Sequence, residues 1–202
     1  MPNLFKLPFL KAAFTFIDVE TTGLDSNEDE AIEVGIAKFI GGELVDVTSS
    51  FVSNIVPIKP GAQAVHGIKQ DDLVGAPILE DYLKSVAHTM IQDCVLGAYN
   101  SDFDRGFLPG WLSTQQKFWV DPLMIAQEYY VKPGQRHTLL EMCKRLDIPY
   151  ETKHRAREDA VACGKVFYRM CSETFSPNST VVEIIKWSEE ARLNQWVKRV
   201  TR

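Results

Sequence analysis

The chain has 202 residues, 45% of them hydrophobic and 24% charged, and its formal net charge is −5. This length and composition are typical of one globular domain, alone or with a small appendage. No apolar run reaches the roughly 18 residues that a transmembrane helix needs, and none of the four cysteines lies in CxxC spacing. A membrane protein, a disulfide scaffold and a zinc site are therefore not indicated, and a reducing cytoplasm is the expected compartment.

Charge is distributed unevenly along the chain. Residues 17–93 hold fourteen Asp and Glu against four Lys and Arg, whereas residues 131–169 hold nine Lys and Arg against five Asp and Glu. This division is compatible with an acidic cation site beside a basic wall for phosphates, and equally with two solvated faces. Residues 1–12 are apolar but interrupted by Lys6 and Pro8, unlike a signal peptide, so we expect a leader that packs on the domain or stays loose.

The first half of the chain predicts three strands. Residues 13–17 form a short β-favouring run that is expected to be buried on both faces. Residues 32–40 and 44–52 alternate around a Gly41-Gly42 turn and complete an antiparallel meander. A loop rich in Pro and Gly is expected to lead to residues 64–68, and a helix to run from Pro77 to about residue 92.

The second half predicts strands alternating with helices. Strands are expected at 94–99 and 117–120, and helices just after 100 and at 123–130, 138–146, 155–173 and 180–196. Thr180 with Glu183 three residues later is a capping box for the last helix. The fold class is therefore α/β, with a mixed five-stranded central sheet flanked by helices.

Several common site motifs are absent from the sequence. No GxGxxG, GxxxxGK[ST] or GxSxG occurs, so dinucleotide, P-loop and nucleophile-elbow sites are unsupported. Asp25, Asn27 and Asp29 begin like a calcium loop, but Glu30 replaces the required Gly and Ile36 the required Glu.

Two carboxylates stand at the end of the first strand. Because strand side chains alternate, Asp18 and Glu20 project from the same face. Two like charges this close cost several kcal/mol near a core unless something compensates them, and a divalent cation would do so. The alternative is a solvated strand end with two surface acids.

Two further acids and one histidine stand at later element starts. Asp104 begins the helix after the fourth strand, and Asp159 lies near the start of the helix at 155–173. Taken singly, each is more simply a surface or capping acid. His154, in a loop before its helix, could swing over a site that Asp159 helps to build and abstract a proton from water; alone, it is more simply a solvent-facing residue.

Three segments together resemble the motifs of the DEDD exonuclease superfamily. The position four residues before Asp159 is Arg155, where the sibling branch has Tyr, so the resemblance is to the histidine branch, which holds the polymerase III epsilon proofreading subunit, exonuclease X, RNase T and oligoribonuclease. It spans about residues 13–175, and Val19 and Tyr99 depart from the usual pattern. The segments are Phe16-Ile17-Asp18-Val19-Glu20-Thr21-Thr22-Gly23-Leu24, Asn100-Ser101-Asp102-Phe103-Asp104 and His154-Arg155-Ala156-Arg157-Glu158-Asp159, and Val65-His66-Gly67-Ile68 matches a further loop.

The resemblance implies an RNase H-like fold and 3′→5′ removal of nucleoside 5′-monophosphates. It also implies two divalent ions, Mg²⁺ or Mn²⁺, which together would balance four carboxylate charges. The implied ligands are Asp18, Glu20, Asp104 and Asp159, with His154 as general base. The implied contacts to the terminal nucleotide are Thr21, Thr22, Gly23, Leu24, His66, Asn100 and Phe103, although the Thr-Thr-Gly segment is alternatively only a turn and Phe103 only core.

The resemblance leaves substrate and partners open. The expected substrate is the 3′ end of a nucleic acid, with single-stranded DNA favoured and RNA as the alternative. There are two further alternatives. One is a nuclease-like module that only binds a nucleic-acid end or a polymerase, and the other is a phosphodiesterase that acts on small nucleotides. A homodimer or a replication partner is possible, and no membrane partner is expected. The expected division is a leader at 1–12, an exonuclease domain at 13–175 and a helical extension at 176–202.

Overall fold

A mixed sheet lies at the centre of the fold. The computed structural model describes residues 4–115, 119–130, 135–151 and 154–200. Its strands are β1 (Ala13–Thr21), β2 (Ala31–Ile40), β3 (Glu43–Phe51), β4 (Cys94–Gly97) and β5 (Trp119–Val120). Their order is β3-β2-β1-β4-β5, with β1 to β3 antiparallel and β4 and β5 parallel to β1. The predicted five-stranded mixed sheet is confirmed, although positions 117 and 118 of the fifth predicted strand lie outside the described residues.

The β2–β3 hairpin forms where its two glycines predict it. Gly41 and Gly42 have φ of +65° and +89°, the left-handed pair that a two-residue hairpin turn of type I′ requires. Ala13 pairs with Ile40 and Glu20 with Glu33 across β1 and β2, and one irregularity follows before Thr21. The register therefore places the acids of β1 beside the first half of β2.

Helices and short turns connect and cover the strands. Three 3₁₀ turns occupy Leu4–Lys6, Phe9–Lys11 and Gln70–Leu73, and a π turn occupies Ala87–Ile91. No described helix is long and apolar enough to cross a membrane. The α-helices are α1 (Pro60–His66), α2 (Leu79–Val86), α3 (Ser101–Phe107), α4 (Gly110–Gln115), α5 (Pro122–Tyr129), α6 (Leu139–Arg145), α7 (Ala156–Thr174) and α8 (Val181–Val200).

Two predicted segments differ from the structure. The expected loop before residue 68 contains α1, because Pro60 suits a first helical turn and Gly67, at φ +73°, ends the helix in the left-handed conformation. The helix expected from Pro77 to about residue 92 begins at Leu79 and gives way to the π turn after Val86. The loop prediction was wrong, whereas the helix prediction was too long.

Strand β1 is buried on both faces, as predicted. Phe14 and Phe16 pack against Phe167 of α7, with ring centroids 5.2 and 5.3 Å apart. Ile17 and Val19 belong to the separate apolar cluster that includes residues of α2 and α4. Two apolar layers therefore enclose the sheet, and the α7 side is the one on which even-numbered residues of β1 project.

Helix α7 approaches the sheet most closely at Gly35. A Cβ atom there would lie 2.1 Å from the backbone C and O atoms of Ala156, the first residue of α7. Gly35 pairs with Asp18 across the β1–β2 ladder. The absence of a side chain at Gly35 thus lets the first turn of α7 lie beside the acids of β1.

The last helix packs on the domain, and its first residues pair with the beginning of the described chain. The Phe9 N–H donates to the Ser179 carbonyl at 2.8 Å, and the Val181 N–H donates to the Leu7 carbonyl at 2.9 Å. The α8 residues Val181, Ile184, Ile185, Trp187 and Ala191 are buried in the same core as α7. The division into 1–12, 13–175 and 176–202 stays a prediction, and residues 1–3 and 201–202 lie outside the described part.

Candidate active site

The end of β1 supplies the first two acids of the site. Because Asp18 and Glu20 have the same parity as Phe16, they project toward α7 and away from Ile17 and Val19. Both side chains are partly buried. The predicted placement on one face is thus found.

Helix α3 brings Asp104 against this strand end. The side chain is buried, and its Oδ1 accepts a hydrogen bond of 3.1 Å from the Val19 backbone N–H. Val19 is the residue between Asp18 and Glu20. This bond therefore fixes the third acid directly to the strand that carries the other two.

Helix α7 contributes Asp159 and the loop before it contributes His154. Asp159 is buried, while His154 precedes the helix, is exposed, and has φ of +43°. One ligand atom each from Glu20, His154 and Asp159 lie within 4.8 Å of one another. The histidine thus lies over the acids that β1 and α7 bring together.

The four acids have perturbed proton affinities. Burial, followed by the charges of Asp104 and Asp159, holds the pKa of Asp18 well above its usual range. Burial, and then the charge of Asp159, raises the pKa of Glu20 to about 8. Burial also raises the pKa values of Asp104 and Asp159, although hydrogen bonds from the Val19 N–H and from Tyr150 oppose these shifts. The protein has therefore gathered acids that repel one another in a partly dry site.

Such crowding suits cation binding. Oxygen donors of carboxylates are the ligands that Mg²⁺ and Mn²⁺ prefer, whereas zinc sites favour sulfur and imidazole. Bound cations would offset the repulsion that raises these pKa values. The donor set therefore fits the divalent ions expected from the sequence.

A cavity of about 640 Å³ opens beside the acids. The predicted nucleotide contacts Thr21, Gly23, Leu24, His66 and Phe103 all line it, together with Glu20. The Leu24 side chain is 85% exposed at its edge, and the Phe103 ring packs against Phe107 with centroids 5.0 Å apart.

Two predicted contacts lie elsewhere. The Thr22 side chain is buried. The backbone N–H of Thr22 donates to the Glu30 carbonyl, and the backbone carbonyl of Thr22 accepts from the Lys59 N–H. Asn100 is exposed at the start of α3 and is not among the described residues that line the cavity. The backbone of each residue is hydrogen-bonded locally, and their contact with a nucleotide stays a prediction.

His66 offers a polar atom to the cavity. Its Nδ1 accepts a hydrogen bond of 3.0 Å from the Ile68 N–H, and its buried Nε2 makes no hydrogen bond of good geometry within the described residues. Burial lowers the pKa of His66 and favours the neutral ring, although the ring lies close enough to the Thr21 backbone for a weak hydrogen bond that opposes this shift. A neutral ring whose Nδ1 accepts carries its proton on Nε2, so a ligand in the cavity can accept a hydrogen bond there.

Comparison with known proteins places the chain in a family. A family model described as Exonuclease (RNase_T) matches residues 15–167. The chain belongs to this exonuclease family. Within it, the DNA polymerase III PolC-type of Halalkalibacterium halodurans is 34% identical over 176 residues, which is 85% of this chain and 12% of that protein. The 3'-5' exonuclease DinG of Staphylococcus epidermidis is 28% identical over 162 residues, 78% of this chain and 18% of that protein. The chain thus spans less than a fifth of these two relatives.

Solved exonuclease structures share the fold. Exonuclease X in complex with 5' overhanging duplex DNA superposes with a TM-score of 0.68 at 22% identity, covering 85% of this chain and 99% of that one. The nuclease domain of 3'hExo, a DEDDh family member bound to rAMP, has a TM-score of 0.66 at 18% identity and covers 81% and 94%. The predicted RNase H-like fold is confirmed, and so is the predicted membership of an exonuclease family, which makes the chain a nuclease.

The exonuclease site has supporting residues that the sequence did not reveal. Buried Glu33 receives two hydrogen bonds from Arg155 Nε, at 3.2 and 3.1 Å, one from Arg155 Nη2 at 2.8 Å, and one from the Ala156 N–H at 3.3 Å. This pair anchors the residue next to His154 to β2. The available signal was an acid inside the apolar β2 run, because such an acid needs a partner.

Tyr150 is a second supporting residue. Its hydroxyl donates a hydrogen bond of 2.6 Å to Asp159 Oδ1. This bond fixes one carboxylate oxygen of Asp159. The nine-residue separation follows no helical or strand period, so no pattern in the sequence indicated it.

Proposed function

We propose that this chain is a metal-dependent 3′→5′ exonuclease that releases nucleoside 5′-monophosphates from the 3′ end of single-stranded DNA. The proposal is supported by the grouping of Glu20, His154 and Asp159 within 4.8 Å, by the electrostatic effect of Asp104 and Asp159 on Asp18, and by the cavity that Glu20 lines. These residues come from β1, α3, α7 and the loop before α7, which are far apart in the chain. Surface acids without a common role would not need to converge on a partly dry site.

The four carboxylates would hold two divalent cations, Mg²⁺ or Mn²⁺. When bound, the cations would supply charge stabilisation at the scissile phosphate and acidify water. The hydrogen bond from the Val19 N–H to Asp104 would keep α3 against β1, and so keep Asp104 and Asp18 in place around the cations. The raised pKa values support the assignment because they reflect burial and mutual repulsion that bound cations would offset.

His154 is the general base. It is exposed, outside the helix, and one of its ring nitrogens lies within 4.8 Å of carboxylate oxygens of Glu20 and Asp159. A neutral imidazole there takes a proton from the attacking water and returns it to solvent. The Arg155–Glu33 pair keeps the loop that carries His154 against β2.

The terminal nucleotide occupies the cavity beside the acids. Thr21 and Gly23 offer their backbone, Leu24 and Phe103 contact the base, and His66 Nε2 donates to a polar group of the nucleotide. Base stacking tolerates any base, so no sequence specificity is expected. Thr22 and Asn100, which the resemblance assigned to the substrate, do not line this cavity, and their contact with the nucleotide stays a prediction.

Single-stranded DNA is the first choice of substrate and RNA the second. Among the structural relatives, Exonuclease X and E. coli ExoI are described with DNA and 3'hExo with rAMP. PolC-type relatives support a replication or proofreading setting, in which a polymerase or a second copy of the chain would be the partner. The four free, buried cysteines suit the cytoplasm.

The test is degradation of matched DNA and RNA strands labelled at the 5′ end. With Mn²⁺ or Mg²⁺, the wild-type protein should produce a ladder of shortened strands, faster on DNA, and chelation with EDTA should stop it. Asp104→Asn should abolish the ladder, whereas Asp102→Asn, an exposed acid two residues away, should not. A wild-type protein that binds Mn²⁺ and the strands but leaves both intact would favour the binding-module alternative, and activity confined to dinucleotides would favour the phosphodiesterase.

A second variant tests the role of His154. His154→Ala should lower kcat by about 10²- to 10⁴-fold while Mn²⁺ affinity, measured by calorimetry, stays near that of wild type. Because one ligand atom of His154 lies within 4.8 Å of carboxylate oxygens of both Glu20 and Asp159, a collapse of Mn²⁺ affinity in this variant would make His154 a ligand instead of a base.

A further inference from the structure

Helix α8 lies outside the part of the chain that matches the exonuclease family, which ends at residue 167. Two of its side chains nevertheless make hydrogen bonds near the site, one to Asp121 just before α5 and one to the segment that begins α3. Ser188 is buried, and its Oγ accepts a hydrogen bond of 2.9 Å from the Asp121 N–H. Arg192 donates from Nη2 to Ser101 Oγ and from Nη1 to Asp102 Oδ1, both at 2.6 Å.

Asp121 connects these residues to the turn that precedes Asp104. Its side chain is 1% exposed and accepts hydrogen bonds from the Asn100 N–H at 3.2 Å, the Ser101 N–H at 2.8 Å and Ser101 Oγ at 2.9 Å. It also caps α5 by accepting from Leu123 and Met124. Through its buried carboxylate and its backbone N–H, Asp121 thus joins α5, α8 and the start of α3.

The turn that Asp121 holds contains a left-handed residue. Asn100 has φ of +72° and ψ of +54°, a conformation that Asn adopts more readily than most non-glycine residues, and its side chain makes no capping hydrogen bond. The hydrogen bonds from the Asn100 and Ser101 N–H groups to Asp121 are therefore the described side-chain contacts that fix this turn. Asp104 follows within one helical turn and depends on the same segment for its place against the Val19 N–H.

We infer that α8 helps to position Asp104 in the nuclease site. Arg192 and Ser188 would act as positioning residues through their hydrogen bonds to Ser101 and to Asp121, which are themselves hydrogen-bonded to each other. The inference rests on the proposed function for the role of Asp104. Neither residue touches substrate. They act by keeping the start of α3 in one conformation, because a misplacement of about 1 Å at a reacting group can cost about 100-fold in rate.

The test compares four variants of the full chain. Arg192→Ala removes the hydrogen bond from α8 to Ser101, and Ser188→Ala removes the hydrogen bond between α8 and Asp121. Lys198→Ala is the matched control, since Lys198 lies on the same helix and pairs with Glu128 of α5 at 2.5 Å. Asp102→Ala removes only the exposed partner of Arg192. The readouts are melting temperature, kcat and KM on a DNA strand, and amide hydrogen exchange in residues 100–104.

Arg192→Ala and Ser188→Ala should lower kcat about tenfold with KM unchanged, and should speed exchange in residues 100–104. Lys198→Ala and Asp102→Ala should match wild type in both. The inference is overturned if the first two variants keep wild-type kcat and exchange, or if Lys198→Ala loses as much activity as they do, since that loss would reflect destabilisation of α8 alone. An inert wild-type protein would instead contradict the proposed function, and the exchange rates would still decide whether α8 holds the turn.

Discussion

At the scale of single residues, Glu20 sets an expectation for pH. Its pKa is raised from 4.5 to about 8 in the folded chain. Between these values the folded protein holds a proton that the unfolded chain has released, so the stability of the metal-free protein should fall as pH rises through this window. Asp18, Asp104 and Asp159 have pKa values raised in the same direction.

The measurement is the melting temperature between pH 5 and 8. In EDTA we expect the melting temperature to fall by on the order of 5 °C or more between pH 5 and pH 8. A change of 1 kcal/mol in the free energy of unfolding shifts the melting temperature by roughly 2–4 °C in a protein of this size. Added Mg²⁺ should flatten the profile by offsetting the charge, and Glu20→Gln should flatten it in part. A melting temperature in EDTA that stays level or rises from pH 5 to pH 8 would contradict the expectation.

Tyr150 sets a second expectation at this scale. Tyr150→Phe removes only the hydroxyl that donates to Asp159 Oδ1 at 2.6 Å. Loss of a residue that orients a metal ligand typically costs about 10- to 100-fold in metal affinity or activity, so Mn²⁺ affinity measured by calorimetry should fall in that range. Tyr129→Phe is the control, since Tyr129 is half-exposed and stacks on Trp187 away from the site. Equal Mn²⁺ affinities in the two variants would contradict the role of Tyr150 in orienting Asp159 as a metal ligand.

At the scale of elements, the site depends on how closely α7 approaches β2. Gly35→Ala would place a Cβ atom 2.1 Å from the Ala156 backbone, and backbone cannot move aside as a side chain can. Overpacking of this kind costs about 1–3 kcal/mol, and here it should also shift Asp159. Urea unfolding and Mn²⁺ affinity should both weaken. Gly110→Ala, at a position with open space within 4 Å, is the control, and a Gly35→Ala protein as stable as that control would contradict the close approach.

Elements with strong local signals could be predicted from the sequence. The alternation of β1 predicts the shared face of Asp18 and Glu20, and the two glycines at 41 and 42 predict the hairpin. The seven-residue α1 was missed because a helix of two turns has too few apolar positions to show a period.

Contacts between distant residues could not be predicted in this way. Glu33 and Arg155 are 122 residues apart, and the Tyr150–Asp159 bond depends on a loop conformation. Asp121 is a local helix cap for α5, but its bonds to the Asn100–Ser101 turn arise from the packing of β4 beside β5. The complete ligand set and the role of His154 were predicted from the family resemblance, since each acid taken alone has an ordinary structural explanation.

At the scale of the whole molecule, α8 belongs to the main core. Trp187 is 7% exposed and stacks on Tyr129 with centroids 5.3 Å apart, while Trp196 on the same helix is 59% exposed. Trp187→Ala should lower the free energy of unfolding by about 3–5 kcal/mol, and Trp196→Ala should change it by less than about 0.5 kcal/mol. Urea denaturation measures both. Similar losses in the two variants, or none in Trp187→Ala, would contradict the packing of α8.

The central claim is that the chain removes nucleotides one at a time from a 3′ end at the site formed by Asp18, Glu20, Asp104, Asp159 and His154. The most direct measurement is the product released with Mn²⁺ from a single-stranded DNA that carries different labels in its 3′-terminal nucleotide and at its 5′ end. The account predicts that the 3′ label appears first, as a nucleoside 5′-monophosphate, while the 5′ label stays on strands that shorten stepwise, and that Asp18→Asn releases neither. Internal fragments, nucleoside 3′-monophosphates, or undiminished release by Asp18→Asn would contradict it.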